Sequence, residues 1–76
     1  MAELVADIAR RLVDEPDEVR VETSEEDGSL VLHLFVAPDD LGKVIGRQGR
    51  IARALRTVVR AGSVREGRRV LLKIGE

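Results

Sequence analysis

The sequence predicts an α+β domain in which three helices cover one face of a three-stranded mixed sheet. Apolar residues recur with helical spacing in three segments and with a period of two in three others. An Asp-Gly pair separates the first two period-two segments, and such a pair favours a tight hairpin. The expected order is therefore helix, strand, strand, helix, helix, strand. At 76 residues we expect one domain, 1–76.

The first helix is predicted over residues 3–13. Arg10 and Arg11 lie in its last turns, where cations interact favourably with the helix dipole, and Pro16 cannot continue the helix. Its apolar stripe consists of Leu4, Val5, Ile8 and Leu12. We expect this stripe to pack against the sheet.

A β-hairpin is predicted next, with its turn at Asp27-Gly28. The residues that alternate with charged ones in the first strand are Val19, Val21 and Thr23. The face of the second strand expected to point into the core carries Leu30, Leu32, Leu34 and Val36. The opposite face carries Val31, His33 and Phe35. A pairing shifted by one residue would exchange the two faces.

Two helices follow the hairpin. Pro38, Asp39 and Asp40 suit the start of a short helix, because proline needs no N–H donor there and carboxylates interact favourably with the dipole. The expected buried stripe of this helix is Leu41, Val44 and Ile45. The longer helix is expected to bury Ile51, Leu55, Val58, Val59 and Gly62. Its opposite face carries Arg50, Arg53, Arg56 and Arg60.

The last strand is predicted after a turn at Glu66-Gly67, with Val70, Leu72 and Ile74 facing the helices. If this strand lies beside the second one, the helical connection makes the two parallel. The first strand then pairs antiparallel at the edge of the sheet.

The formal net charge of −1 conceals two oppositely charged halves. Residues 1–40 contain three basic and twelve acidic side chains, whereas residues 41–76 contain ten basic and two acidic ones. The second half therefore carries a net charge of +8, a local basic field of the kind that attracts phosphates. Mutual neutralisation of the two halves within one fold is the alternative interpretation.

A domain of this size has a small core and is often stabilised by disulfides, metals or a partner. The sequence has no cysteine, which excludes disulfides and thiolate metal sites. We therefore expect self-association, which the aliphatic run of the longer helix also favours, although the sequence does not indicate which surface is used. Because no signal peptide or long apolar segment is found, we expect a soluble cytoplasmic protein without membrane contact.

Catalysis and metal binding are not expected. The single imidazole, His33, lies in the middle of a predicted strand, and the helix start explains Asp39 and Asp40. One histidine with scattered acidic residues offers no ligand spacing for a metal. We therefore expect no enzymatic activity, no metal ion and no cofactor.

Two glycines three residues apart, Gly46 and Gly49, separate the central helices. Their spacing fits neither the P-loop nor the dinucleotide-binding glycine motif. Without Cβ atoms they allow a phosphodiester backbone to approach main-chain N–H groups at the start of the next helix. Arg47 and Gln48 would project from the tip. The alternative interpretation is a glycine cap in an ordinary helix–helix turn.

The segment Val44-Ile45-Gly46-Arg47-Gln48-Gly49-Arg50-Ile51 resembles the VIGxxGxxI signature of the KH domain. With its element order, the whole chain is similar to the type II, bacterial form of the KH fold and to the small KhpA-type single-KH proteins. The resemblance implies that a GXXG loop clamps single-stranded RNA. The residues implied to bind RNA are Lys43, Ile45, Gly46, Arg47, Gln48, Gly49, Arg50, Ile51 and Arg53.

The resemblance also implies a division of roles, with residues 46–49 contacting the sugar-phosphate backbone and Ile45 and Ile51 lying beneath the bases. Arg60 and Arg69, distant from the loop in sequence, are expected to matter less. KH domains manage with aliphatic contacts, which suits a chain with one aromatic side chain. Further implications are low sequence specificity, a post-transcriptional or RNA-chaperone role, a link to cell-envelope growth, and a dimer with a second copy or a larger Jag-type KH protein.

Two alternative functions remain open from the sequence. Residues 50–61 could be the recognition helix of a helix-turn-helix DNA-binding protein, although they present no Asn or Gln for adenine. The strand face with Val31, His33 and Phe35 could dock a partner, as in a protein-interaction adaptor.

Overall fold

The computed structural model describes residues 1–75 and has the predicted order of elements. The helices are α1, Ala2–Leu12; α2, Leu41–Ile45; and α3, Arg50–Glu66. The strands are β1, Arg20–Glu26; β2, Ser29–Phe35; and β3, Val70–Gly75. Single turns of 3₁₀ helix precede β1, α2 and α3, at Pro16–Glu18, Pro38–Asp40 and Arg47–Gly49. Within the described residues, no helix combines the length and the apolar character needed to cross a membrane.

Strand β2 lies in the centre of the sheet, antiparallel to β1 and parallel to β3. Asp27 and Gly28 both have positive φ, 53° and 80°, as the two-residue turn of a right-twisted hairpin requires. In the register, Leu32 is opposite Thr23 on β1 and Leu72 on β3. The predicted α+β topology, including the parallel return of the last strand, is confirmed.

The inner face of the sheet, which packs against the helices, is the face predicted from the alternation. Leu30 and Ile74 are partly buried against the core on this face. The residues of this face that are buried are Leu32, Leu34, Val36, Val70 and Leu72. The predicted register is therefore confirmed.

The outer face of the sheet carries the alternate residues of β2. Val31 is fully buried there beside its register neighbour Leu71, outside the core beneath the helices. The rings of His33 and Phe35 stack with centroids 6.3 Å apart, and the guanidinium of Arg20 lies 4.5 Å from the centre of the Phe35 ring. Cross-strand packing thus shields part of this face without a helix.

Helix α1 buries a face that differs from the predicted stripe. Val5 and Ala9 are fully buried and Ala6 nearly so, whereas Leu4 is 47% exposed. Alanine side chains let a helix approach the sheet closely, and a position 100° away from Val5 then points elsewhere. The prediction for Leu4 was wrong because it followed side-chain size and passed over the alanines. Ile8 is partly buried as expected.

Helix α3 buries most of its predicted apolar face, with Ile51 and Val58 only partly buried, and exposes its arginines. Leu55, Val59 and Gly62 are buried, and Ala52 is buried with them. The helix ends at Gly67, whose left-handed backbone, with φ 69°, is typical of a glycine cap. The turn predicted at this point is therefore the end of the helix and the start of the return to β3.

Candidate nucleic-acid interface

The loop between α2 and α3 has two glycines with left-handed φ. Gly46 has φ 78° and ψ 172°, and Gly49 has φ 73° and ψ 18°. The first conformation is essentially restricted to glycine. The Gly49 N–H donates to the carbonyl oxygen of Gly46 at 3.1 Å, which closes the loop into a single tight turn.

Arg47 and Gln48 are exposed at the tip of this turn, as predicted. Gln48 has φ 57°, an uncommon value for a residue with a side chain. Arg53, in the first turns of α3, donates a hydrogen bond from Nη2 to the carbonyl oxygen of Gln48 at 3.0 Å. This bond ties the tip to the helix and holds the Arg53 guanidinium beside the loop.

The loop leads directly into the first turn of α3. The first N–H groups of an α-helix have no acceptor within the helix, and the helix dipole places partial positive charge there. Helix α3 has 17 residues, and Arg50 is exposed at its start. An anion at the loop would meet the positive end of the helix dipole and guanidinium groups at the same place.

Ile45 and Ile51 flank the loop on either side in sequence. Ile51 is partly buried against the core, whereas Ile45 is 36% exposed. The prediction that Ile45 belongs to the buried stripe of α2 was wrong, because the helix ends there and the chain turns away at Gly46. Val44 is the fully buried residue of α2. An apolar side chain is thus left exposed next to the loop.

Lys43, three residues before Gly46, is engaged by two carboxylates. Its Nζ lies 3.0 Å from Oδ2 of Asp14 and 3.4 Å from Oδ1 of Asp40. The hydrogen bond to Asp14, followed by that to Asp40, raises the pKa of Lys43 above its usual value. The ammonium group therefore faces acidic partners within the protein.

Asp40 has a role that the sequence did not reveal. It is 1% exposed, and its two oxygens accept hydrogen bonds from the backbone N–H groups of Asp14, at 3.2 Å, and Glu15, at 2.9 Å. Burial, the largest single influence, would raise the pKa of Asp40, but these bonds and Lys43 outweigh it and lower the pKa below its usual value. We expected Asp40 to serve the start of its own helix. No local pattern indicates a contact with a segment 25 residues away.

A groove of about 450 Å³ lies between α3 and β3. Its buried lining residues include Val59, Val70 and Leu72. The arginines that line it are Arg56, Arg60, Arg68 and Arg69. Arg68 also forms an ion pair with Glu25 at 2.8 Å. Because Arg53 and Arg60 lie two turns apart on one face of α3, a line of cations leads from the loop to this groove.

Several arginines that lie outside the loop line the groove between α3 and β3. Arg60 and Arg69 were expected to matter less than the loop, yet both line the groove, as do Arg56 and Arg68, which were not among the predicted site residues. The arginine face of α3 was a signal for two of them. Arg68 and Arg69 line the groove only because the chain returns to β3 after α3. The spacing of residues along the sequence does not reveal this.

The described part of the chain has no cluster of side chains suited to bind a metal ion. Within residues 1–75, no three His, Cys, Asp or Glu side chains come together as metal ligands would. The imidazole of His33 lies on the outer sheet face, with Nε2 3.4 Å from Oγ of Ser24. The geometry of the loop and groove is suited to binding an anion.

Comparison with known families agrees with this geometry. Residues 2–74 match the model of the KhpA/KhpB KH domain. The chain belongs to this KH-domain family. Similar members are the RNA-binding protein KhpA of Clostridium acetobutylicum, 53% identical, and that of Halalkalibacterium halodurans, 54% identical, each over 97% of this chain. The aligned region covers 99% and 97% of those two proteins, respectively.

Solved structures with the same fold include the protein Era. Era of Aquifex aeolicus, bound to GDP and aluminium fluoride, matches this KH domain with a TM-score of 0.65 and 25% sequence identity. Era in complex with a segment of 16S ribosomal RNA matches with a TM-score of 0.66 and 25% identity. In both cases the match covers 96% of this chain and 28% of the Era chain. The KhpA/KhpB-type domain thus corresponds to about a quarter of Era.

Proposed function

We propose that this protein binds single-stranded RNA in the cytoplasm through its GXXG loop and carries out no catalysis. Relatives about half identical over nearly the whole chain are named RNA-binding proteins, which supports RNA as the ligand. The Era structure solved with ribosomal RNA contains a domain of this fold, which supports the same assignment.

The loop holds the sugar-phosphate backbone. Gly49 lets the RNA chain approach the start of α3 closely, because a side chain there would point into open space, whereas at Gly46 the missing Cβ atom leaves room for Ile51. Arg47 and Arg50 supply positive charge from exposed positions. Gln48 offers an amide at the tip. These groups together favour a phosphodiester over a neutral ligand.

The bases lie over the aliphatic surface of Ile45 and Ile51. From there the RNA strand continues along the arginine face of α3. Arg53 and Arg60 are about 10 Å apart along the helix axis, so the cations can follow successive phosphates towards the groove. Guanidinium groups on phosphates carry no sequence information. Among the proposed contacts, only Gln48 has an amide that could read a base edge, so the sequence specificity is low.

The observation that carries the proposal is the conjunction of left-handed glycine backbone, exposed arginine and helix start at one loop. The test replaces Arg47 and Gln48 together by Asp, in an exposed turn that the core does not need. RNA affinity is expected to fall by about tenfold or more, because like charges at the phosphate positions add repulsion to the lost attraction. Circular dichroism should show an unchanged fold.

A matched control makes the same change of charge away from the loop, on α3. Ala61 and Arg65 are exposed and do not line the groove, and replacing both by Asp tests general basicity. Filter binding with single-stranded RNA, single-stranded DNA and duplex DNA completes the design. Unchanged RNA binding by the loop variant contradicts the proposal. Preference for duplex DNA favours the helix-turn-helix alternative, and binding to none of the three favours the adaptor.

We also propose that the protein self-associates, or pairs with a larger Jag-type KH protein, through an apolar groove between α1 and α3. This groove has a volume of about 300 Å³. Its lining residues are Ile8, Leu12, Ala54, Leu55 and Val58, together with Arg50 and Ile51 at the end next to the loop, where RNA is proposed to bind. A small domain gains stability by covering such a surface, and the lining residues come from two helices whose remaining faces are largely charged.

A further inference from the structure

We infer that Asp14, Asp40 and Lys43 form a clamp that positions α2 and the glycine loop, and that Lys43 acts through this clamp instead of contacting RNA phosphate. The inference rests on the proposed function and changes the role that the family resemblance implied for Lys43. The clamp joins two segments far apart in sequence, the connection after α1 and the beginning of α2.

The clamp is a closed ring of contacts. Oδ1 of Asp40 accepts the N–H of Asp14 and lies 3.4 Å from Nζ of Lys43, while Nζ of Lys43 reaches back to Oδ2 of Asp14 at 3.0 Å. The remaining oxygen of Asp40 accepts the N–H of Glu15 at 2.9 Å. Both oxygens of the buried carboxylate are therefore used, and each clamp residue contacts the other two.

Helix α2 needs such an anchor because it is short. It has five residues and no side-chain hydrogen bond at its N-terminal cap, and so short a helix is not stable on its own. Val44 anchors it through burial, and Asp40 anchors its start. Since Gly46 follows the helix directly, a rotation of α2 about Val44 would displace the loop. The clamp prevents that rotation.

Lys43 is poorly suited to bind phosphate because it already has two anionic partners. A phosphate would have to displace or share the carboxylates of Asp14 and Asp40. By contrast, none of the ion pairs formed within residues 1–75 involves Arg47 or Arg50. The raised pKa of Lys43 agrees with an ammonium group already held by negative charge. The free cations of the loop are the arginines.

The first test is Asp14→Asn, which removes an exposed carboxylate and is not expected to disturb the core; the Asp14 side chain is 76% exposed. Simple electrostatics predicts tighter RNA binding, because a negative charge near a polyanion is lost. The clamp predicts weaker binding, since α2 is then correctly oriented for a smaller fraction of the time. Asp17→Asn is the matched control, an exposed neighbouring acid outside the clamp. We expect Asp14→Asn to bind a labelled oligouridylate about threefold more weakly than Asp17→Asn.

The second test is Lys43→Met, which keeps the aliphatic stem and removes the charge. Loss of a phosphate contact would lower the magnitude of the log–log salt slope by about 0.7, whereas loss of orientation lowers affinity and leaves the slope unchanged. The double variant Asp14→Asn/Lys43→Met should bind no more weakly than Lys43→Met alone, because both changes open the same clamp. Asp40→Asn should weaken binding by about tenfold at a temperature at which it is folded.

The variant Val5→Ala distinguishes a clamp that positions the loop from one that only stabilises the fold. It removes buried side-chain volume in α1, outside the clamp. This variant should lower the midpoint of thermal unfolding and leave RNA affinity unchanged while folded. The inference is overturned if Asp14→Asn binds RNA as tightly as Asp17→Asn or more tightly, or if Lys43→Met lowers the salt slope as an arginine variant does. If the unaltered protein does not bind RNA, the proposed function fails and the clamp's role in binding fails with it. If Asp40→Asn does not fold, the Asp14 and Lys43 variants still decide the question.

Discussion

The side chain of Ile51 occupies the space that a Cβ atom of Gly46 would need, with its Cγ1 2.7 Å from that position. Gly46 also has a left-handed φ of 78°. Two separate constraints, one of backbone conformation and one of packing, thus require glycine at the start of the loop. The shape of the loop is thereby linked to the packing of the first turn of α3.

Gly46→Ala is expected to lower the free energy of unfolding by about 1–3 kcal/mol, because the new methyl group meets Ile51 and the backbone is strained. Urea unfolding followed by circular dichroism measures the change. Gly42→Ala is the matched control, since Gly42 has ordinary helical backbone and no atom within 4 Å of a new Cβ. It should raise the free energy of unfolding by about 0.5–1 kcal/mol. Similar effects of the two substitutions would contradict the steric explanation.

The groove arginines are expected to contact phosphate. Changing Arg60 or Arg69 to Gln should each reduce the magnitude of the log–log salt slope of RNA binding by about 0.7, as much as Arg47→Gln. Fluorescence anisotropy over a range of potassium chloride concentrations measures the slope. Arg65→Gln, on the same helix but outside the groove, should leave it unchanged. If the groove makes no contact with RNA, the variants Arg60→Gln and Arg65→Gln should have the same salt slope of RNA binding.

The stability of the protein should decline at both extremes of pH through the clamp. The pKa of Asp40 is lowered, so its contribution is present above the unfolded value of 3.8 and is lost as pH falls through the lower folded pKa. The pKa of Lys43 is raised, so its contribution is present below 10.5 and is lost as pH rises through the higher folded pKa. Asp14 is the other titratable group in direct contact with this pair.

Thermal unfolding measured across the pH range checks this expectation. Asp40→Asn should lower the unfolding midpoint at neutral pH and flatten its decline in acid, because the group that loses its charge there has been removed. Lys43→Met should flatten the decline in alkali. Parallel curves for the variants and the unaltered protein would mean that other groups control the pH dependence.

Self-association through the α1–α3 groove should be sensitive to Ala54. This residue is exposed and lines the groove, so Ala54→Arg places a charge in an apolar interface while leaving the core intact. Sedimentation velocity should show the unaltered protein as a dimer at high micromolar concentration and the variant as a monomer. Ala61→Arg, exposed on the same helix outside the groove, should remain a dimer. A monomeric unaltered protein would contradict the proposed surface.

The features that could be predicted from the sequence are those that depend on residues close together along the chain. The hairpin depends on the turn at Asp27 and Gly28, and the loop depends on Gly46, each recognisable from neighbouring residues. The burial of Asp40 could not be predicted, because its partners Asp14 and Glu15 are distant along the chain. The same holds for the groove that Arg60 and Arg69 both line and for the close packing of α1 through Ala9. These features arise when elements pack together, and periodicity carries no information about them.

The position of β2 in the centre leaves the sheet with two unlike edges. Strand β1 presents acidic residues along an exposed edge, including Glu22 and Glu25, and such charges discourage a second chain from adding to the sheet. Strand β3 carries a single charged side chain, Lys73, so aggregation by edge pairing would begin there. The same strand borders the proposed RNA groove. Bound RNA would therefore cover the vulnerable edge, and the protein should be most prone to aggregate when it is free of nucleic acid.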